Sequence, residues 1–205
     1  EMQSFSHENT AKGLLAAIAH DFHHTGTGNT VRGTHVPFFQ EHQAVLWARN
    51  AIRPDRGDAA LIKSALNLVY ATDVSSVDPS PARWVRIVYD HRFDYRPDRS
   101  AEISQHIYEK LGDIFANDDE LKLAATLQDA DVLSSVLNEA HFRNECHRVA
   151  HELGKPHATA GSGCNFLQNI LDGRMTTGRA RLLGDEFIQT KLAHYSKLEA
   201  ATAML

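Results

Sequence analysis

Leu14-Leu15-Ala16-Ala17-Ile18-Ala19-His20-Asp21-Phe22-His23-His24-Thr25-Gly26-Thr27-Gly28-Asn29 is an apolar run that stops on a cluster of metal-ligating and proton-carrying side chains. The run has few β-branched residues and follows Asn9-Thr10, either of which can cap a helix start, so it predicts a helix ending near His20. Neighbouring helical positions diverge by about 100°, so His20 and Asp21 can serve one centre only if it lies between them. A bare His-Asp pair also reads as a helix-end residue beside a solvated carboxylate. Gly26 and Gly28 free the backbone to turn sharply, and Asn29 is placed to hold that turn or to open the next segment.

Outward from this stretch the pattern is helical. Apolar residues recur at three- and four-residue spacing through Val45-Leu46-Ala48-Ala51-Ile52, Leu61-Ala65-Leu66-Leu68-Val69, Ile103-Ile107-Leu111-Ile114-Phe115 and Leu121-Leu123-Ala124-Leu127. Strand-like alternation is scarce. Breaks near Gly26 to Pro37, Arg53 to Gly57, Val77 to Pro81, Arg92 to Arg99 and Gly154 to Gly163 give an all-α chain of roughly eight or nine helices joined by short loops. A length of 205 residues suits one domain, 1–205, long enough to bury a core.

The pattern His-Asp-x-x-His-x-Gly-x-x-Asn, filled by His20, Asp21, His24, Gly26 and Asn29, resembles the signature of class I cyclic-nucleotide phosphodiesterases, a branch of the HD-domain metal-dependent phosphohydrolases. Three later segments resemble the same family in the same order: His42-Gln43-Ala44-Val45, Val69-Tyr70-Ala71-Thr72-Asp73-Val74-Ser75, and Leu127-Gln128-Asp129-Ala130-Asp131-Val132-Leu133-Ser134. The resemblance implies a compact multi-helix HD-domain bundle. It further implies hydrolysis of a phosphodiester, a 3',5'-cyclic nucleotide or a related small phosphoester, by a hydroxide bridging two divalent cations. Zinc or a similar ion would take the tight site and magnesium or manganese the second. Such a donor set suits the task, because cations offset the anionic oxygens of the ester and lower the pKa of bound water.

By matching positions, the resemblance makes His20, Asp21 and Asp131 metal ligands, with Asp21 bridging, and places His24 and His42 around the second ion and its waters as catalytic groups. His42 also reads as a buried core histidine of an amphipathic helix, and His24 as a loop histidine bonded to backbone. Asp73 reads as structural, bonding neighbouring backbone after a helix-like run. Phe166 matches the family's base-stacking phenylalanine, and also reads as a core residue. Ser134 stands where the family has a substrate-contacting asparagine.

Two departures set the expectations for substrate and completeness. The family's purine-reading glutamine, three residues before the phenylalanine, is Gly163 here, which favours the rival of a nucleotide phosphomonoester hydrolase. The family's upstream Tyr-His-Asn-x-x-His-Ala, source of a proton-donor histidine and a metal histidine, has no counterpart before His20. His7 would lie about 20 Å away along one helix. Because the chain opens at Glu1 rather than methionine, the expectation is that those histidines belong to a segment upstream; without them the domain would be a catalytically silent nucleotide- or metal-binding sensor.

A formal net charge of -5 argues against a nucleic-acid surface, which needs a basic face. Cys146 and Cys164 form neither a close metal pair nor a disulfide framework, which fits a reducing compartment. With no span-length apolar stretch and no secretion signal, the expectation is a cytoplasmic protein acting on a small molecule and making no membrane contact. His147 and His151, four apart, read as an exposed pair, and Arg83 and Arg86 as an exposed helix face. Arg92 to Arg99 reads as a solvated loop or a substrate lid.

Overall fold

Asp58 ends a polar stretch and its carboxylate accepts from the backbone N–H groups of Ala60 and Leu61, so a helix starts at once on the apolar sequence that follows, α3 (Ala59–Tyr70). In this computed structural model, which describes residues 5–22, 29–32, 34–52, 58–74, 79–152 and 155–202, α3 is the buried centre of the first half of the chain. Packed on it are α1 (His7–Ala19), α2 (Phe39–Ala51) and α5 (Gln105–Ala116), with α4 (Pro81–Asp94) against α5. The remaining helices are α6 (Asp118–Leu137), α7 (Glu139–Glu152), α8 (Ala160–Asn165), which continues into a π-helical turn over Phe166–Ile170, and α9 (Gly178–Thr202).

The chain is all-α. The one sheet among the described residues is a two-residue antiparallel ladder, Thr30–Val31 with Thr34–His35. Backbone contacts divide the chain into two compact units, one running through Gln128 and the other from Asp129. Leu66, Leu68, Val69, Leu111, Ile114 and Leu121 anchor the first core. Phe142, Leu167, Met175 and Ile188 anchor the second. Among the described residues no helix is long and apolar enough to cross a membrane.

Several boundaries differ from the sequence reading for local reasons. The first helix begins at His7, not after Thr10, because the Ser6 hydroxyl takes the capping position and accepts from Asn9 N–H at 3.1 Å. His7 therefore lies on the same helix as His20, near its far end. Asn117 ends one helix and caps the next through Asp119 N–H and Glu120 N–H, which explains a break that apolar spacing alone does not reveal. The expected break up to Gly163 closes early, at Ala160, because Thr159 and Ser162 form a reciprocal capping box. Arg86 is buried rather than on an exposed face, as is Asp90 one turn later on α4. The segment after α4 leaves through Tyr95 at φ 55, with Arg96 N–H donating to Asp90 O and Arg99 stacked over Trp84 at 5.8 Å.

Candidate functional site

The helix carrying the motif ends where its sequence requires, with His20 as the residue that closes α1. The His20 Nδ1 lies 2.8 Å from the Ala17 carbonyl. A carbonyl can only accept, so in the neutral ring Nδ1 holds the hydrogen and Nε2 is left with a lone pair. That Nε2 faces Asp21 Oδ2 at 3.5 Å. Two electron-pair donors set against each other in this way are stabilised by a positive charge between them, either a proton on Nε2 or a metal ion.

Asn29, at the end of the motif, gathers two further acids. Its amide donates to Glu41 Oε2 at 3.1 Å and to Asp73 Oδ1 at 2.9 Å, and its carbonyl oxygen accepts from Gln40 N–H at 2.7 Å. The other oxygen of Asp73 accepts from Phe38 N–H at 2.9 Å. Phe38 precedes α2 in the left-handed conformation with no side-chain cap of its own, so Asn29 and Asp73 supply what that helix start lacks. Asp73 is fully buried, and its carboxylate bonds Asn29 and the Phe38 backbone, both distant in sequence, where a place after a helical run predicts bonds to neighbouring backbone.

Glu41 is the residue that the sequence reading missed. Burial, reinforced by the neighbouring Asp73 carboxylate, pushes its carboxyl up to about 8, against the pull of Asn29 and of His20. Asp73 and His20 thus both act on Glu41, although the three come from separate segments. The available signal was that Glu41 is the sole acid of α2 and stands immediately before His42.

His42 is exposed, not a core histidine, and its Nδ1 is 3.0 Å from the Tyr70 hydroxyl. Tyr70 is held from ionising mainly by its own burial, and Lys110 lies over its ring at 5.1 Å. His24 lies outside the described residues. Asp131 and Ser134 are exposed on α6, while Asp129, two residues earlier, is buried and spends both oxygens on Thr176 N–H and Thr177 N–H, at 2.9 and 2.7 Å. Of the two acids in Asp129-Ala130-Asp131, the exposed one is therefore the one read as a ligand.

Phe166 is half-buried at the edge of the second core, its ring centre 6.1 Å from that of Phe142. A Cβ on Gly163 would meet the rings of Phe142 and Tyr195 at 3.4 Å. That is ordinary van der Waals contact, so Gly163 lies against both rings with room for a methyl group.

No family model, no curated protein and no solved structure matches this chain. Among the described residues no group of three or more His, Cys, Asp and Glu side chains is close enough to enclose a metal by itself. His20 and Asp21 are nonetheless donor types that bind divalent cations. A backbone-oriented imidazole faces a carboxylate, and beside it a carboxyl is kept from ionising by burial and a second acid. A cation would relieve both arrangements.

Proposed function

We propose that the protein is a metal-dependent phosphohydrolase that cleaves a small phosphodiester, a 3',5'-cyclic nucleotide or a related ester. The observation that carries this reading is the His20 ring, tied at Nδ1 to the Ala17 carbonyl and turned with Nε2 toward Asp21. Backbone fixation of one ring nitrogen presents the other as a ready ligand. His20 and Asp21 would hold divalent metal ions, zinc with magnesium or manganese, and Asp131 is the further ligand named by the family resemblance. The ions, when bound, would offset the charge of the phosphoester and supply an acidified water.

The chain's own residues would support that chemistry in distinct ways. Asn29 holds Glu41 and Asp73 together, and Asp73 anchors the start of α2, so that Glu41 and His42 are carried on a fixed helix end. His42, exposed and hydrogen-bonded to Tyr70, is a candidate for holding a proton near the leaving oxygen. A nucleotide phosphomonoester is the second reading, favoured by Gly163, which stands where the resembled family has its purine-reading glutamine.

A hydrolysis panel of cyclic nucleotides, linear diesters and nucleotide monoesters, run with added zinc, magnesium and manganese, tests the proposal. Wild type is expected to turn over at least one diester and Asp131→Ala to lose that activity. Turnover of monoesters alone would favour the second reading. Hydrolysis indifferent to Asp131→Ala would remove Asp131 from the ligand set, and no turnover of any ester would defeat the enzyme reading.

A further inference from the structure

α9 buries one face and leaves the opposite one bare. Ile188, Lys191 and Tyr195 are buried, whereas Leu183, Glu186, Thr190, Ala193, Lys197 and Ala201 are exposed. At 100° per residue these six fall on one stripe, spaced three and four apart as in a helix-pairing seam. Large apolar side chains crowd its first half: Leu182 is 90% exposed, Leu183 49% and Phe187 46%. Small ones occupy the last turn, with Ala200 and Ala201 both exposed. The stripe is mixed, with exposed leucines and a glutamate in its first half and a lysine and alanines in its second, so its two halves differ in bulk and in charge.

We propose that a second copy of this chain covers it, pairing α9 with α9 in antiparallel orientation about a two-fold axis passing between Lys191 and Leu192. The sequence of the stripe is self-complementary in that register. Leu182 and Leu183 of one copy meet Ala201 and Ala200 of the other, bulky against small. Glu186 meets Lys197, and Thr190 meets Ala193. The two-fold repeats every pairing, so the interface holds two Glu186–Lys197 ion pairs and the start of each helix lies beside the end of its mate, the favourable arrangement of helix dipoles. Parallel pairing would instead stack Leu183 on Leu183, Glu186 on Glu186 and Lys197 on Lys197. A pair of helices about 37 Å long buries less than a standard permanent interface, so the dimer is reversible and concentration-dependent.

Sedimentation equilibrium over a concentration series, with far-UV circular dichroism to verify folding, tests this. Wild type is expected to show a monomer–dimer equilibrium. Glu186→Lys sets like charges opposite each other twice and is expected to weaken dimerisation roughly tenfold, as is Lys197→Glu, while the double exchange restores it. Leu183→Lys is expected to abolish the dimer without changing the fold. A monomer at every concentration would overturn the proposal, and so would a dimer that ignores these substitutions or a double exchange that fails to recover.

Discussion

Two glutamates, one in each unit, are driven in opposite directions by their surroundings. Glu41 shares an amide with another acid, and burial beside Asp73 lifts its carboxyl to about 8. For Glu139 burial works the same way, but hydrogen bonds from Lys191, Tyr195 and Arg143 outweigh it and hold the carboxyl at about 2. Lys191 Nζ lies 2.5 Å from Glu139 Oε2, the Tyr195 hydroxyl 2.7 Å from Oε1, and the ammonium also sits over the Phe142 ring at 5.1 Å. The second cluster neutralises itself and fastens α7 to α9. The first sets one acid, kept protonated by burial and by a second acid, near an oriented histidine, with the neutral Asn29 amide bonded to both acids.

The largest effect expected from breaking this contrast is at Asp73. Asp73→Ala leaves the buried Phe38 N–H without its acceptor and the Asn29 amide with Glu41 alone, and should cost about 1–3 kcal/mol in urea unfolding, since a stranded donor carries a desolvation penalty. In the other unit, Lys191→Met removes one of the two cations bonded to the exposed Glu139, with Arg143 and Tyr195 remaining, and should cost about 0.5–1 kcal/mol. The same variant should let the Glu139 carboxyl rise toward its ordinary value. A depressed carboxyl contributes stability that is complete above its ordinary value of 4.5 and is lost as pH falls through about 2. The wild type should therefore hold the α7–α9 contact further into acid than Lys191→Met does.

Glu41 should behave in the opposite sense. Its raised carboxyl favours the folded state most below 4.5, and that contribution is lost as pH rises through about 8, where the buried group must ionise. Stability followed from pH 5 to 9 should fall in the wild type and stay flatter in Glu41→Gln, which should be the more stable of the two at the alkaline end by about 1–2 kcal/mol. A parallel fall in both proteins would mean that Glu41 is not the group responsible. The smallest effect is at Gly163. The added Cβ of Gly163→Ala makes van der Waals contact at 3.4 Å and gains helix propensity, so thermal unfolding should register a change under about 1 kcal/mol.

The sequence made the elements legible wherever the deciding residues were neighbours. α1 ends at His20, as the apolar run predicts. What escaped the reading depends on partners far along the chain. Glu41 acquires its character only when Asn29 and Asp73 are brought to it, and a single glutamate in a helix's first turn otherwise reads as a dipole partner. Arg86 was placed on an exposed face because helical spacing gives a face but not its orientation, and α4 turns that residue inward. Asp129 and Asp131 are alike in sequence; the backbone of Thr176 and Thr177, over forty residues on, is what separates their roles.

His20 and Asp21 are proposed to hold a divalent metal. The most direct measurement is metal content after equilibration with zinc or manganese and removal of unbound ion, comparing the wild type with His20→Ala at matched folding by circular dichroism. The wild type should retain the ion stoichiometrically and His20→Ala should lose it. A wild type that retains no metal, or a His20→Ala variant that retains as much, would contradict it.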